Sequence, residues 1–387
     1  MQQGFHKRAG WIFSVLLLIP MLQHMLKWIP TQELHGAFTK TEYLPLSLKT
    51  WWDGDFQLRT DAYAAENFGC RNELIRVNNQ VNYSLYHKIN AAEVVEGKNG
   101  MLYEYKYIEA YTGREKVNEE DLDNRVRKLA ALQEHFKRQG KLFAPIIYPG
   151  KASYYPECLP DSCTVVSTRT NYVALVEKLN ATSVNYMDCN AWFKAMKDTT
   201  YAPLFTEIGI HWSQYGACLA MDSLVRFAAG AMDTTLNEFH WETRRPPLVD
   251  VVFFPDNDME SSLNIYSSLP HAPLAYPVLK ATSQHAYRPQ AAVFTDSFFF
   301  NIINLDWKPS IFSELSMYYY NRELYPWPGK KGTMPSQAEK MKALEQCDII
   351  LVMATEYNLD EIGWGIIDEA FDYFIEGNAV NSATAQQ

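Results

Sequence analysis

Clustered cations are what this chain most plainly lacks. Lys and Arg number 35 against 45 Asp and Glu, a formal charge of −10 over 387 residues. Gripping a phosphate backbone takes a concentrated basic footprint, so nucleic acid is excluded as a partner, and an anionic polymer could be held only at a local basic patch. Metal-type cysteine spacing is missing too. The six cysteines are scattered, with no paired Cys or His cluster of the kind that holds zinc, so no metal and no cofactor are expected. Cys158 and Cys163 bracket a Leu-Pro-Asp-Ser loop and could close a small disulfide, while Cys70, Cys189, Cys218 and Cys347 read as buried thiols.

A small-x-small cleavage site is also absent after the apolar segment at the start. Lys7 and Arg8 precede a run from Trp11 to Leu22, which continues less cleanly through Gln23, His24 and Lys27 to Ile29. A basic flank followed by an apolar core reads as an export signal, and residues 11–29 can just cross about 30 Å as a helix. The expectation is an uncleaved anchor over residues 1–30: a single pass through the inner membrane, N-terminus cytoplasmic and main domain periplasmic.

What is present is enough apolar material for a large core. Of the composition, 47% is apolar and 14% aromatic, which fits one large domain after the first 30 residues and suits a protein that faces carbohydrate. Helical and strand-like patterns alternate along it. Residues 118–139 form an amphipathic helix opened by Asn118 and Asp121, and 141–148 a buried strand. Helix 168–180, strand 183–187 and helix 190–197 follow. A strand then reaches His211, and a helix runs to about 230. Strands near 249–254 and 291–295, helix 336–346, strand 348–354 and helix 360–376 complete the series. Such alternation predicts an α/β fold with a mostly parallel sheet covered on both faces. Residues 31–117 are read as an N-terminal cap with a helix and a hairpin, EVVEGKNGMLYE, turned on Asn99-Gly100. The core domain then covers 118–377 and a disordered tail 378–387. The interval 255–290, rich in Ser, Pro, His and Tyr, reads as a cover loop.

Two short segments carry chemistry. In RPQAAVFTDSFFF an apolar strand runs straight into Asp296-Ser297, which puts the Ser297 hydroxyl at the carboxyl edge of the sheet, where open α/β folds bind ligands. In Gly209-Ile210-His211-Trp212 an imidazole stands just before a helix whose N-cap is Ser213. A hydroxyl and an imidazole so placed are the nucleophile and base of acyl transfer.

This arrangement resembles the SGNH-like acyltransferases of the alginate O-acetyltransferase AlgX/AlgJ (DHHW) family, in which Asp-x-His-Trp precedes Gly-Asp-Ser-Phe. His211-Trp212 and Asp296-Ser297-Phe298 match those motifs. Further landmarks follow in the expected order over about residues 50–375: Trp52-Asp53-Gly54, Glu66-Asn67-Phe68-Gly69 with Arg71, Gly97-Lys98-Asn99-Gly100, Pro149-Gly150-Lys151 with Tyr155-Pro156-Glu157, and Thr355-Glu356 with Asn358-Leu359. Two positions depart. Thr295 replaces the motif Gly, which is mild because an oxyanion donor there is a backbone amide. Gly209 replaces the Asp that would orient the imidazole, a loss that typically lowers turnover about 10⁴-fold.

The resemblance implies an SGNH hydrolase-like three-layer sandwich and a membrane-anchored, extracytoplasmic O-acetyltransferase. Ser297 would be the nucleophile and His211 the base. Its partners would be a polysaccharide acceptor and a membrane-bound O-acyltransferase (MBOAT-type) acetyl donor. Lys151, Tyr148 and Trp212 would border the substrate. The orienting or oxyanion role falls to Glu207, Asp296 or Glu356, or to a backbone carbonyl. A carbohydrate esterase of the same fold and a non-catalytic polysaccharide-binding secretion protein are the alternatives.

Overall fold

The computed structural model describes residues 2–36, 40–237, 240–241, 245–280, 287–305, 308–329, 331–332 and 334–377. The tail expected to be disordered, 378–387, lies outside them. The chain folds as two compact units, Met1–Ala92 with Met259–Leu269, and Glu93–Asp258 with Pro270–Gln387. The boundary falls before the hairpin, at residue 93, and not at 118.

In the smaller unit the first helix, Gln2–Leu26, contains Pro20. Its backbone presses on Gly69, where a Cβ would stand 1.9 Å from the Pro20 carbonyl oxygen. His24 Nδ1 lies 2.8 Å from the Asn67 carbonyl oxygen, and Gln23 is buried, donating to the Ile29 carbonyl. Among the described residues no helix is long and apolar enough to cross a membrane. The span expected over residues 11–29 is therefore not found: Pro20, Gln23 and His24 interrupt the apolar run, and the helix stops at Leu26.

The larger unit is built on a six-stranded sheet. Its strands are β1 (Leu142–Tyr148), β2 (Met187–Asp188), β3 (Gln290–Thr295), β4 (Glu314–Tyr319), β5 (Glu323–Trp327) and β6 (Ile349–Thr355), in the order β5-β4-β3-β6-β1-β2. All neighbours are parallel except β4 and β5, which form a hairpin at the edge. Pro326 is tolerated in β5 because an edge strand has a free side. Buried on both faces, β1 and β6 are continuous apolar runs, as parallel strands between two helical layers must be.

Alternation sorts the side chains. Ala144, Ile146, Val293, Leu351 and Met353 point to one face, covered by α3 (Gln214–Ala231). Phe143, Ile147, Phe294, Ile350 and Val352 point to the other, covered by α1 (Glu119–Lys137) and α2 (Asn171–Asn180), which precede α3, and by α4 (Gln337–Gln346) and α5 (Ile366–Phe371), which follow it. Phe136 of α1 stacks on Phe143 of β1 with centroids 5.5 Å apart. The helices start where their caps predict. Asn118, Thr170, Ser213 and Ser336 each accept a backbone N–H three residues on.

Several expected elements differ. Strand 183–187 is reduced to the two residues of β2. Near 249–254 only Leu248–Val249 is extended, and it pairs with Leu274–Ala275 outside the main sheet. The stretch 360–376 is not one helix, because Gly363 and Gly365, at φ 86° and 90°, break it before α5. All six cysteines are free, so Cys158 and Cys163 do not pair.

Candidate active site

Parallel packing brings the ends of β1, β3 and β6 to one edge, and each is followed by polar residues. After Thr295 the chain leaves β3, passes Asp296 and turns at Ser297 into the short helix Phe299–Ile303. Asp296 is the brace of that turn. One of its oxygens accepts from the Thr355 amide (2.7 Å), the Thr355 hydroxyl (2.8 Å) and Asn358 Nδ2 (3.0 Å), and the other accepts from the Phe298 amide (3.1 Å). Burial pushes its pKa up, against those four donors. With both oxygens committed, Asp296 neither orients His211 nor donates to an oxyanion. Among the described residues no acceptor takes the Ser297 N–H.

His211 does not end a strand as expected. It lies on a loop whose neck is closed by a bridge between Phe205 and Trp212 and by the Ser213 amide donating to the Leu204 carbonyl at 2.8 Å. Trp212 then joins the two motifs, since its Nε1 donates to the Phe298 carbonyl at 3.1 Å and its own carbonyl accepts from Asn301 at 2.9 Å. The result is a short relay. His211 Nε2 is 2.9 Å from Ser297 Oγ, and Nδ1 is 2.5 Å from Asp258 Oδ2. An ionised carboxylate only accepts, so Nδ1 carries the proton and Nε2 presents its lone pair to the serine.

Asp258 is the acid that sequence reasoning missed. It opens the helix Asp258–Leu263, 47 residues past His211, and its second oxygen accepts from the Ile210 amide at 2.8 Å. One carboxylate thus holds both the ring and the backbone before it. The two side chains are each 15% exposed, which strengthens their attraction by keeping water away. Burial alone would pull the His211 pKa down, but the charge and hydrogen bond of Asp258, with lesser help from Asp296 and Glu104, raise it above the ordinary value.

Gly209 explains why the acid comes from elsewhere. A Cβ at that position would meet the Asp256 carbonyl oxygen at 2.5 Å and Thr206 Oγ1 at 2.7 Å. The turn that delivers Asp258 lies directly against residue 209, leaving room for no side chain there. The same turn supports the next helix, because Asp256 accepts from the Gln214 amide at 3.1 Å at the start of α3 while Thr206 donates to its carbonyl at 2.6 Å. Burial lifts the Asp256 pKa to about 7.

The other candidates lie away from the reacting atoms. Glu207 turns both oxygens to the Ala272 amide, at 3.2 Å. Glu356 is buried behind β6, against Gly150, Ser153 and Asn190, and burial raises its pKa. Neither acid orients the imidazole. Trp212 is 0% exposed and Tyr148 is 1% exposed, with its hydroxyl donating to the Met353 sulfur, so both are core residues. Lys151 is also 1% exposed; its Nζ donates to the carbonyls of Glu207 (2.9 Å) and Gly209 (2.7 Å). Among the described residues there is no His, Cys, Asp and Glu cluster fit for a metal ion.

Fold and site define the class: an α/β domain with serine, histidine and carboxylate in relay at the carboxyl edge of its sheet. Residues 94–249 match the family described as SGNH hydrolase-like domain, acetyltransferase AlgX. That segment contains His211 and ends before Asp258 and Ser297. No curated protein matches the chain. Among solved structures the chain is similar to the O-acetyltransferase domain of Pseudomonas putida AlgJ, at 17% identity and TM-score 0.43, over 69% of this chain and 92% of that one. It is similar to Pseudomonas aeruginosa AlgX at 13% and 0.41, over 71% and 67%, and to Bacillus cereus PatB1 at 11% and 0.41, over 69% and 96%.

Proposed function

We propose that this chain is an O-acetyltransferase that moves an acetyl group through an acyl-serine to a polysaccharide hydroxyl outside the cytoplasm. The observation that carries the reading is the unbroken relay from Ser297 Oγ through both nitrogens of His211 to Asp258.

In the first step Ser297 Oγ bonds to the acetyl carbonyl carbon as its proton passes to His211 Nε2. The oxyanion that forms is met by the Ser297 amide, and Asp258 stabilises the imidazolium. The intermediate collapses, the bond to the donor's leaving oxygen breaks, and that oxygen takes the proton from His211. In the second step a sugar hydroxyl gives its proton to His211 and attacks the acyl-serine, regenerating the Ser297 hydroxyl. The acetyl donor in this reading is a membrane-bound O-acyltransferase. Membrane anchoring of this chain through residues 1–30 belongs to the same proposal, with Lys7 and Arg8 as the basic flank.

The test is mass spectrometry of the protein after incubation with an activated acetyl ester. An acetyl adduct on Ser297 that is lost in Ser297→Ala and strongly reduced in His211→Ala supports the reading. No adduct on the wild type, or one indifferent to His211, overturns it. Adding a sugar acceptor separates transfer from ester hydrolysis: the acetyl group goes to the sugar in a transferase and to water in an esterase.

A further inference from the structure

One buried cation has no part in the relay. Lys151 opens the short helix Lys151–Tyr154 just past the end of β1, and the Tyr103 ring lies 5.6 Å from its ammonium. Among the described residues no carboxylate lies within ion-pair distance of it. Its hydrogen bonds go to backbone, the carbonyls of Glu207 at 2.9 Å and Gly209 at 2.7 Å. A buried ammonium without a counter-ion is costly. Burial accordingly brings its pKa down to about 7, opposed by the charges of Asp258, Glu207 and Cys158.

The two acceptors are the carbonyls four and two residues ahead of His211. Between them and the ring, the Ile210 amide is held by Asp258, and the Glu207 carbonyl also accepts from the Leu102 amide at 2.8 Å. The loop is therefore gripped from two sides, by a cation on its carbonyls and by an anion on an N–H. Gly209 has no side chain with which to anchor itself, so its peptide depends on these partners.

We infer that Lys151 is the positioning residue of the His211 loop: by holding the Glu207 and Gly209 carbonyls it sets the imidazole where Nε2 meets Ser297 Oγ. The inference rests on the reading of Ser297 and His211 as a catalytic pair. Lys151 touches neither substrate nor reacting atoms, so its removal acts on turnover and spares substrate binding.

Lys151→Met keeps the length and apolar stem and removes the donors. The expected result is a loss in kcat of roughly 10- to 100-fold, the scale on which misplacing a catalytic group acts. KM should change about threefold at most. The acid limb of kcat/KM, which reports His211, should move to lower pH as the ring drifts from Asp258. Wild-type kcat with an unmoved acid limb overturns the inference, and so does a loss confined to KM.

Hydrogen exchange on the wild-type protein decides the matter even where the variant fails to fold. Between about pH 6 and about pH 9 the ammonium gives up its charge, and its hydrogen bonds weaken accordingly. After correction for intrinsic rates, protection of residues 205–212 should fall while that of 142–148 holds. The titratable groups facing Lys151 are Asp258, Glu207, Cys158 and Tyr103. Repeating the exchange with Asp258→Asn, Asp256→Asn and His211→Gln separates the cation's contribution from those of the acids and of the ring. Equal protection at both pH values overturns the inference. This readout needs no turnover, so failure of the acyl-transfer reading, seen as an unlabelled Ser297, is distinguishable from failure of the clamp.

Discussion

Asp258→Asn is the sharpest perturbation of the relay, because it changes charge and tautomer while sparing the backbone. An asparagine oxygen can still accept from the Ile210 amide, now 2.8 Å from Oδ1, so the loop stays tied. The contact to His211 Nδ1, at 2.5 Å between side chains each 15% exposed, is the one that changes character. The amide group favours the wrong imidazole tautomer and no longer stabilises the imidazolium. In serine triads that exchange lowers turnover by about 10⁴, which at about 1.36 kcal/mol per decade amounts to roughly 5.4 kcal/mol of transition-state stabilisation. A second signature is independent of rate. His211 titrates above its ordinary value because Asp258 outweighs burial. With the charge gone, burial prevails, and the acid limb of kcat/KM should fall below about 6.5. The assay is turnover of a small acetyl ester across the pH range, with Ser297→Ala as background. A variant within about tenfold of wild type, or one whose acid limb stays put, would refute the assignment of Asp258.

Further outcomes follow from the same contacts. Gly209→Asp, which places an Asp two residues ahead of His211, should not restore activity to Asp258→Ala. It should also lower stability by about 1–3 kcal/mol in urea unfolding, since its Cβ has only 2.5 Å to the Asp256 carbonyl; recovery of activity would count against the packing argument. Asp296→Ala strands the Thr355, Asn358 and Phe298 donors in the core and should cost about 3 kcal/mol or more by chemical denaturation, with loss of acetyl-Ser297. His211 binds its proton more tightly folded than unfolded, so its contribution to stability is whole below about pH 6.5 and fades as pH rises through the folded value. Urea unfolding of wild type against His211→Gln should show that difference shrinking with pH, and a difference that grows would reverse the sign.

The sheet was legible where burial is complete. Residues 142–148, 291–295 and 349–354 are unbroken apolar runs because helices cover both faces, and their polar successors Lys151, Ser297 and Glu356 mark the edge where ligands bind in such folds. The edge hairpin Glu314–Tyr319 and Glu323–Trp327 left no such trace, since partly exposed strands rich in Tyr and Glu carry a weak alternation. Serine and histidine were legible from their motifs. The acid was not, because Asp258 lies in an interval without periodicity, whereas the expected candidates Glu207, Asp296 and Glu356 stand beside the motifs or at the ends of apolar runs. The signal available was small: an apolar stretch, 251–254, ending in Pro255 and the acidic cluster Asp256-Asn257-Asp258. It is the glycine at 209, an apparent defect, that makes space for that turn. Trp212 shows the converse. Its pairing with His211 suggested a role at the opening, whereas its ring is core and its N–H fastens one motif to the other.

The address of the acid in the chain is thus separable from its place beside the ring. An imidazole responds to a carboxylate in space and is blind to the route by which it arrives. Anyone sorting related chains into working enzymes and relics by demanding Asp two positions ahead of His-Trp would discard this one on its Gly209. A fairer criterion asks whether the backbone at that position is crossed by another strand of chain bearing an acid. Here it is, and the apparent gap is the imprint of the residue that fills its role.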